Sequence, residues 1–135
     1  MARVPTATAF VSLAALHVAW GRGSTFPFPD RDGLNDAVIG RRTTPSPAAC
    51  FAVAGALTVA AALVADVPRL PRGLQRLGVT GVAAVLAARA ALGFAGRTDV
   101  ASPGSVSARF RRVDRHVYSP LCLALAAGAL SSRRG

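Results

Sequence analysis

At 135 residues the chain is long enough for one domain. Hydrophobic residues make up 52% and charged residues only 16%, well under the roughly 25% charged residues of soluble domains. The net charge of +10 would suit a nucleic-acid binder, but the arginines alternate with long uncharged runs and no stacking or groove-reading motif accompanies them. Nucleic acid is therefore excluded as a partner, and the charge reads as the flanks of membrane spans.

Every base is Arg and every acid is Asp. With so much Ala and Gly this is the signature of a GC-rich genome and carries no functional meaning. Two cysteines, Cys50 and Cys122, have neither CxxC spacing nor neighbouring His and acids. They give no disulfide framework, no metal site and no cofactor site.

The first apolar run is ATAFVSLAALHVAWG, residues 7–21. A signal peptide would look similar, but His17, Trp20 and Arg22 stand where a small-x-small cleavage site belongs. The run is read as a retained helix near residues 6–21, with Trp20 at the membrane–water interface or walling a pocket. Residues 22–46 form a polar connection: FPFPD and TTPSP are proline-rich, and DRDGLND is rich in turn formers. GLNDAVIG has the length of a short surface helix, but an irregular loop is the expectation.

PAACFAVAGALTVAAALVADV predicts a second helix over 47–67, with Ser46 as N-cap and Pro47 in the first turn. Ala48, Ala52, Ala56 and Ala60 recur every fourth residue, a stripe that would let another helix approach closely. After the basic connection PRLPRGLQR comes a third helix near 76–96, interrupted once, by Arg89. The fourth run, from Val117 to Leu130, is short. It reaches membrane length if its helix starts near Asp114 and bends at Pro120, giving a span over 114–131.

The expectation is an all-α fold: one integral membrane domain over residues 1–135, a four-helix transmembrane bundle with short basic loops and both termini on one side. Arginine count and arginine density give opposite orientations, so the sequence leaves orientation open.

Several of these residues form a pattern that resembles the domain of unknown function 3995 family. HVAWGRG closes the first helix, LAARAALGF carries the lone arginine of the third, and FRRVDRHVYSPLCL opens the fourth. The corresponding positions are His17, Trp20, Gly23, Arg89, Phe110, Asp114, Tyr118, Ser119, Pro120 and Cys122. FPFPDRDGLNDAVIGRR, in the first loop, matches only loosely. The resemblance implies a small multi-pass protein of a bacterial cell membrane with four helices, and it implies no activity.

Alternating helices would put His17, Trp20, Cys50, Arg89, Asp114, Tyr118 and Cys122 in one half of the bilayer. Asp114, Tyr118 and Cys122 are spaced i, i+4 and i+8 and would share a helix face. A charge inside a membrane helix costs about 2.5–3.5 kcal/mol on insertion scales, so Arg89 must either snorkel or find a partner. Asp114 is the candidate counter-ion, with Arg111, Arg112 and Arg115 facing water or lipid phosphate. His17 and Tyr118 complete the candidate site as interfacial hydrogen-bonding residues, and a Cys50–Cys122 thiol pair is geometrically allowed.

Three functional classes follow: a lipid- or small-ligand-binding module, a structural or assembly subunit, and a membrane-embedded enzyme built on His17, Arg89, Asp114 and Tyr118. The enzyme ranks last, because no nucleophile–base–orienter set or metal cluster is evident. The lipid bilayer is the one expected partner common to all three.

Overall fold

The computed structural model describes residues 2–67 and 69–133, and among these it is all helical. α1 spans Arg3–Gly21, α2 Arg31–Val38, α3 Pro47–Ala65, α4 Arg72–Phe94, α5 Thr98–Ala101, α6 Ala108–Val113 and α7 Ser119–Ser132. A π-helical turn over Asp114–Tyr118 joins α6 to α7, so helix runs unbroken over residues 108–132. α1, α3 and α4 are each long and apolar enough to cross a membrane. Many of their large side chains are turned outward: Val59, Leu77 and Val85 are 60%, 70% and 71% exposed, a surface suited to lipid and costly in water.

Local chemistry sets the helix ends. Ser46 Oγ accepts from Ala49 N–H at 3.1 Å, with Pro47 in the first turn, so α3 starts where its sequence indicates. It stops at Asp66, whose φ of 60° is left-handed. α4 begins at Arg72 rather than near 76, because Pro71 presets the entry and Arg72, Leu74 and Gln75 are good helix formers that outweigh Gly73. The last helix begins at Ala108, not Asp114. Ser107 caps it by accepting from Phe110 N–H at 3.1 Å.

The helices associate as two close antiparallel pairs, α1 with α3 and α4 with α7. Gly21, ending α1, lies so near Phe51 and Cys50, opening α3, that a Cβ there would come within 2.9 Å of the Phe51 ring. The two pairs meet over a core that includes Phe10, Ala60, Val64, Val79, Leu125 and Ala129, and Thr6 of α1 packs directly onto Gly128 of α7.

Two expectations are corrected. The alanine stripe 48/52/56 is exposed, and only Ala60 is buried. The stripe of α3 that does pack runs through Ala54, Leu57, Ala61 and Val64. Its 3-and-4 spacing follows a helix face, whereas a strict four-residue spacing drifts off it. The first connection is also not wholly irregular. α2 forms two turns, capped by Asp30, whose carboxylate accepts from Gly33 N–H at 2.7 Å. Burial of Leu34 and Ala37 stabilises it against the low helix propensity of Gly33.

Candidate functional site

Arg89 lies five residues before the end of α4 and Asp114 six residues after the start of α6, so both sit roughly 7–9 Å in from the same end at 1.5 Å per residue. The structure brings them together. Arg89 Nη2 donates to Asp114 Oδ1 in a close ion pair, and Nη1 reaches Oδ2 at 3.4 Å. Ser119 Oγ donates to the same Oδ2, also at 3.4 Å. Asp114 and Ser119 are completely buried, while the Arg89 side chain keeps 26% of its surface exposed. A two-pronged guanidinium–carboxylate contact of this kind offsets much of the desolvation of the buried acid.

Gly93 makes the approach possible. It follows Arg89 by one turn, and a Cβ there would overlap Ser119 Oγ and Asp114 Oδ2. The site is therefore Arg89 and Gly93 on α4 against Asp114 and Ser119 on the last helix. Gly93 had not been singled out from sequence, and Ser119 entered only through the family resemblance.

The π turn explains why Ser119, and not Tyr118, joins Asp114. Pro120 has no N–H to donate to His116 carbonyl, and its ring would crowd that carbonyl in an α-helix. The turn before it is wider: Ser119 N–H bonds to Asp114 carbonyl, five residues back. Residues five apart then stack, so Asp114 and Ser119 share the buried face. The expected face through Asp114, Tyr118 and Cys122 is broken, and Tyr118 is rotated away.

Tyr118 instead holds a roof over this end. Its Oη donates to Ala37 carbonyl, at the end of α2, at 2.8 Å. Two carbonyls just beyond α2 are also satisfied. Ser102 Oγ donates to Ile39 carbonyl at 3.0 Å, and Val106 N–H donates to Gly40 carbonyl at 2.8 Å. Gly40 has a φ of 66° and lies under the Phe110 ring, where a Cβ would come within 2.8 Å. The three flanking arginines are exposed as expected, but Arg115 also donates to Phe94 carbonyl at 2.9 Å and caps α4, and Arg111 Nη1 reaches Val106 carbonyl at 3.5 Å. At the rim, hydrogen bonds from the Arg97 side chain hold the exposed Asp99 carboxyl below the usual aspartate range.

His17 is not part of this constellation. Its Nδ1 bonds to Leu13 carbonyl of its own helix at 2.8 Å, and its ring meets Trp20 edge-on at 4.9 Å. Trp20 Nε1 donates to Phe26 carbonyl at 2.7 Å, tying the first loop to α1. The cavity beside Trp20 and Cys50 has about 20 Å³, room for nothing larger than a water. The two cysteines are free thiols. Cys50 belongs to the α1–α3 pair and Cys122 to the α4–α7 pair, so the allowed thiol pair is not formed. Among the described residues no group of three or more His, Cys, Asp or Glu is placed to hold a metal ion.

The family model described as "Protein of unknown function (DUF3995)" matches residues 10–129. No curated protein and no solved structure matches the chain.

Proposed function

This chain belongs to the DUF3995 family, a relationship that assigns no activity, and from its geometry we propose a four-pass integral membrane protein with a non-catalytic role. The fourth crossing is the unbroken helix over residues 108–132, roughly 37 Å long. Its first half is too charged to rank as an apolar span on composition. Its one buried charge, Asp114, is neutralised by Arg89, and its arginines lie toward the end, where water and lipid phosphate are within reach.

In this reading Arg89–Asp114 is a structural lock. The observation that carries it is the burial of Asp114: the carboxylate is fully buried, both its oxygens are answered by Arg89 and one also by Ser119, and Gly93 packs against it. A general base or ligand-binding acid needs a free lone pair facing a cavity. An enzyme built on His17, Arg89, Asp114 and Tyr118 has less support, because His17 bonds within its own helix apart from the Arg89–Asp114 pair and Tyr118 Oη is committed to Ala37 carbonyl. The lock joins α4 to the last helix, and the roof ties the α2 segment to that end, leaving a compact module suited to binding or assembly within the bilayer.

Reporter fusions test the crossings. Insertions after Gly40 and after Ser105 should report one side, and an insertion after Leu70 the other. A reporter fused after Ser132 should report the Leu70 side, and if it reports the Ser105 side the fourth crossing does not exist.

A further inference from the structure

The opposite end of the molecule, where α1 begins and α3 and α7 finish, holds a cleft of about 380 Å³. Four arginines line it, Arg3, Arg72, Arg76 and Arg133, against a single acid, Asp66. Two of the four are engaged. Arg3 Nε donates to Ser132 carbonyl at 3.0 Å and its Nη1 lies 3.8 Å from Asp66, while Arg133 Nη1 donates to Thr80 Oγ1 at 3.0 Å. Neither Arg72 nor Arg76 has an acid or a side-chain hydrogen-bond partner among the described residues. They sit one turn apart in the first turns of α4, where the helix macrodipole adds to their positive field.

The cleft is also shaped in its floor. Gln75 Nε2 donates to Leu63 carbonyl, which fixes the side chain, and Gln75 Oε1 is buried in the wall without a partner. The cleft thus offers guanidinium donors for an anion beside a fixed amide wall. Arg3 is shared with a second groove of about 440 Å³, which runs over Val4, Ala7 and Val11 on the outward side of α1. A charged cleft that shares Arg3 with an apolar groove matches a molecule that has a charged head and a hydrocarbon tail.

We propose that the cleft binds a phosphate group, that of an anionic phospholipid, with the phosphate between Arg72 and Arg76 and an acyl chain along Val4, Ala7 and Val11. Arginine suits this role because its planar fork pairs with two phosphate oxygens at once. The proposal rests on the membrane reading above, since only a protein resident in the bilayer meets such a lipid at this depth.

The test uses the full chain in zwitterionic detergent micelles, titrated with phosphatidylglycerol, with phosphatidylcholine, and with inorganic phosphate, bound lipid being counted by native mass spectrometry. Phosphatidylglycerol should bind at least about tenfold more tightly than phosphatidylcholine, and inorganic phosphate should not compete at millimolar concentration. The double variant R72Q/R76Q should lose about tenfold in phosphatidylglycerol affinity, as removal of charge-assisted hydrogen bonds implies. The control R22Q/R112Q, which removes the same charge from exposed positions at the other end, should stay within about twofold. Equal losses in the two variants would reduce the effect to general charge attraction and overturn the site. Competition by inorganic phosphate would overturn the lipid as its source. Alkaline carbonate extraction of native membranes, run in parallel, separates the two levels: extraction of the chain overturns the membrane reading, whereas retention with no lipid preference overturns the cleft alone.

Discussion

Asp114 and Asp66 invite comparison, because each stands at one end of the molecule with an arginine beside it. Asp114 is fully buried and takes both prongs of Arg89. Asp66 is 41% exposed and has Arg3 at 3.8 Å, itself 38% exposed. At the first end the charges cancel inside the protein, and a roof of carbonyl-directed bonds from Tyr118, Ser102 and Val106 covers them. At the second end four arginines face one acid around an open cleft. The same two residue types therefore serve opposite purposes. Burial turns an ion pair into a constraint on helix position, while exposure leaves charge available to something outside the chain.

The largest expected effect tests that contrast directly. Arg89→Leu strands a fully buried carboxylate and should destabilise the folded protein by about 3–5 kcal/mol, read as a fall in the unfolding midpoint in detergent. Asp114→Leu should cost less, because the freed guanidinium is already partly exposed and can swing outward. The double variant should regain part of the Arg89→Leu loss. Arg3→Leu, at the other end, should change stability by only about 0–1 kcal/mol. Additive losses at Arg89 and Asp114, or an Arg3 effect as large as that of Arg89, would erase the distinction between the ends.

The next effect is steric. Gly93→Ala places a methyl where Ser119 Oγ and Asp114 Oδ2 already are, and should destabilise by about 1–3 kcal/mol through overpacking. Gly81 is in the same helix, and a Cβ there meets nothing within 4 Å. Gly81→Ala should be neutral or should stabilise by up to ~1 kcal/mol through helix propensity. Equal behaviour of the two variants would show that α4 and the last helix do not touch at Gly93.

These residues also mark how far the sequence could be read. Arg89 stands out as a lone charge in an apolar run, and Asp114 as an acid among arginines at the start of another, so the two can be picked from composition and spacing alone. Gly93 could not be, because it is one glycine among many and only a neighbouring helix gives it a role. Ser119 was hidden by helical arithmetic. Five residues separate it from Asp114, which in an α-helix places it on another face, and the π turn alone brings the two together. Pro120 is the available signal: from sequence it predicts a bend, whereas the chain relieves the proline by widening the preceding turn. The three long helices were legible because apolar runs of about twenty residues have few alternatives. α2 was not, since Gly33 and a run of turn formers argue locally for a loop, and the burial that outweighs them is tertiary.

The smallest effect concerns the roof. Tyr118→Phe removes one hydroxyl, which donates to Ala37 carbonyl at 2.8 Å, and leaves the ring near Phe110 at 6.3 Å. The expected loss is about 0.5–1.5 kcal/mol, the usual net worth of one hydrogen bond. Its location matters more than its size. Ala37 carbonyl belongs to the last turn of α2, where no intrahelical donor reaches it, so the loss should fall on α2 and the loops around it. Hydrogen exchange should speed up at the amides of residues 34–40 and stay unchanged at those of α3 and of α4 around Arg89. Faster exchange throughout α4 would mean that roof and lock open together. That end would then be one cooperative unit in which Tyr118 helps to hold the Arg89–Asp114 pair out of water.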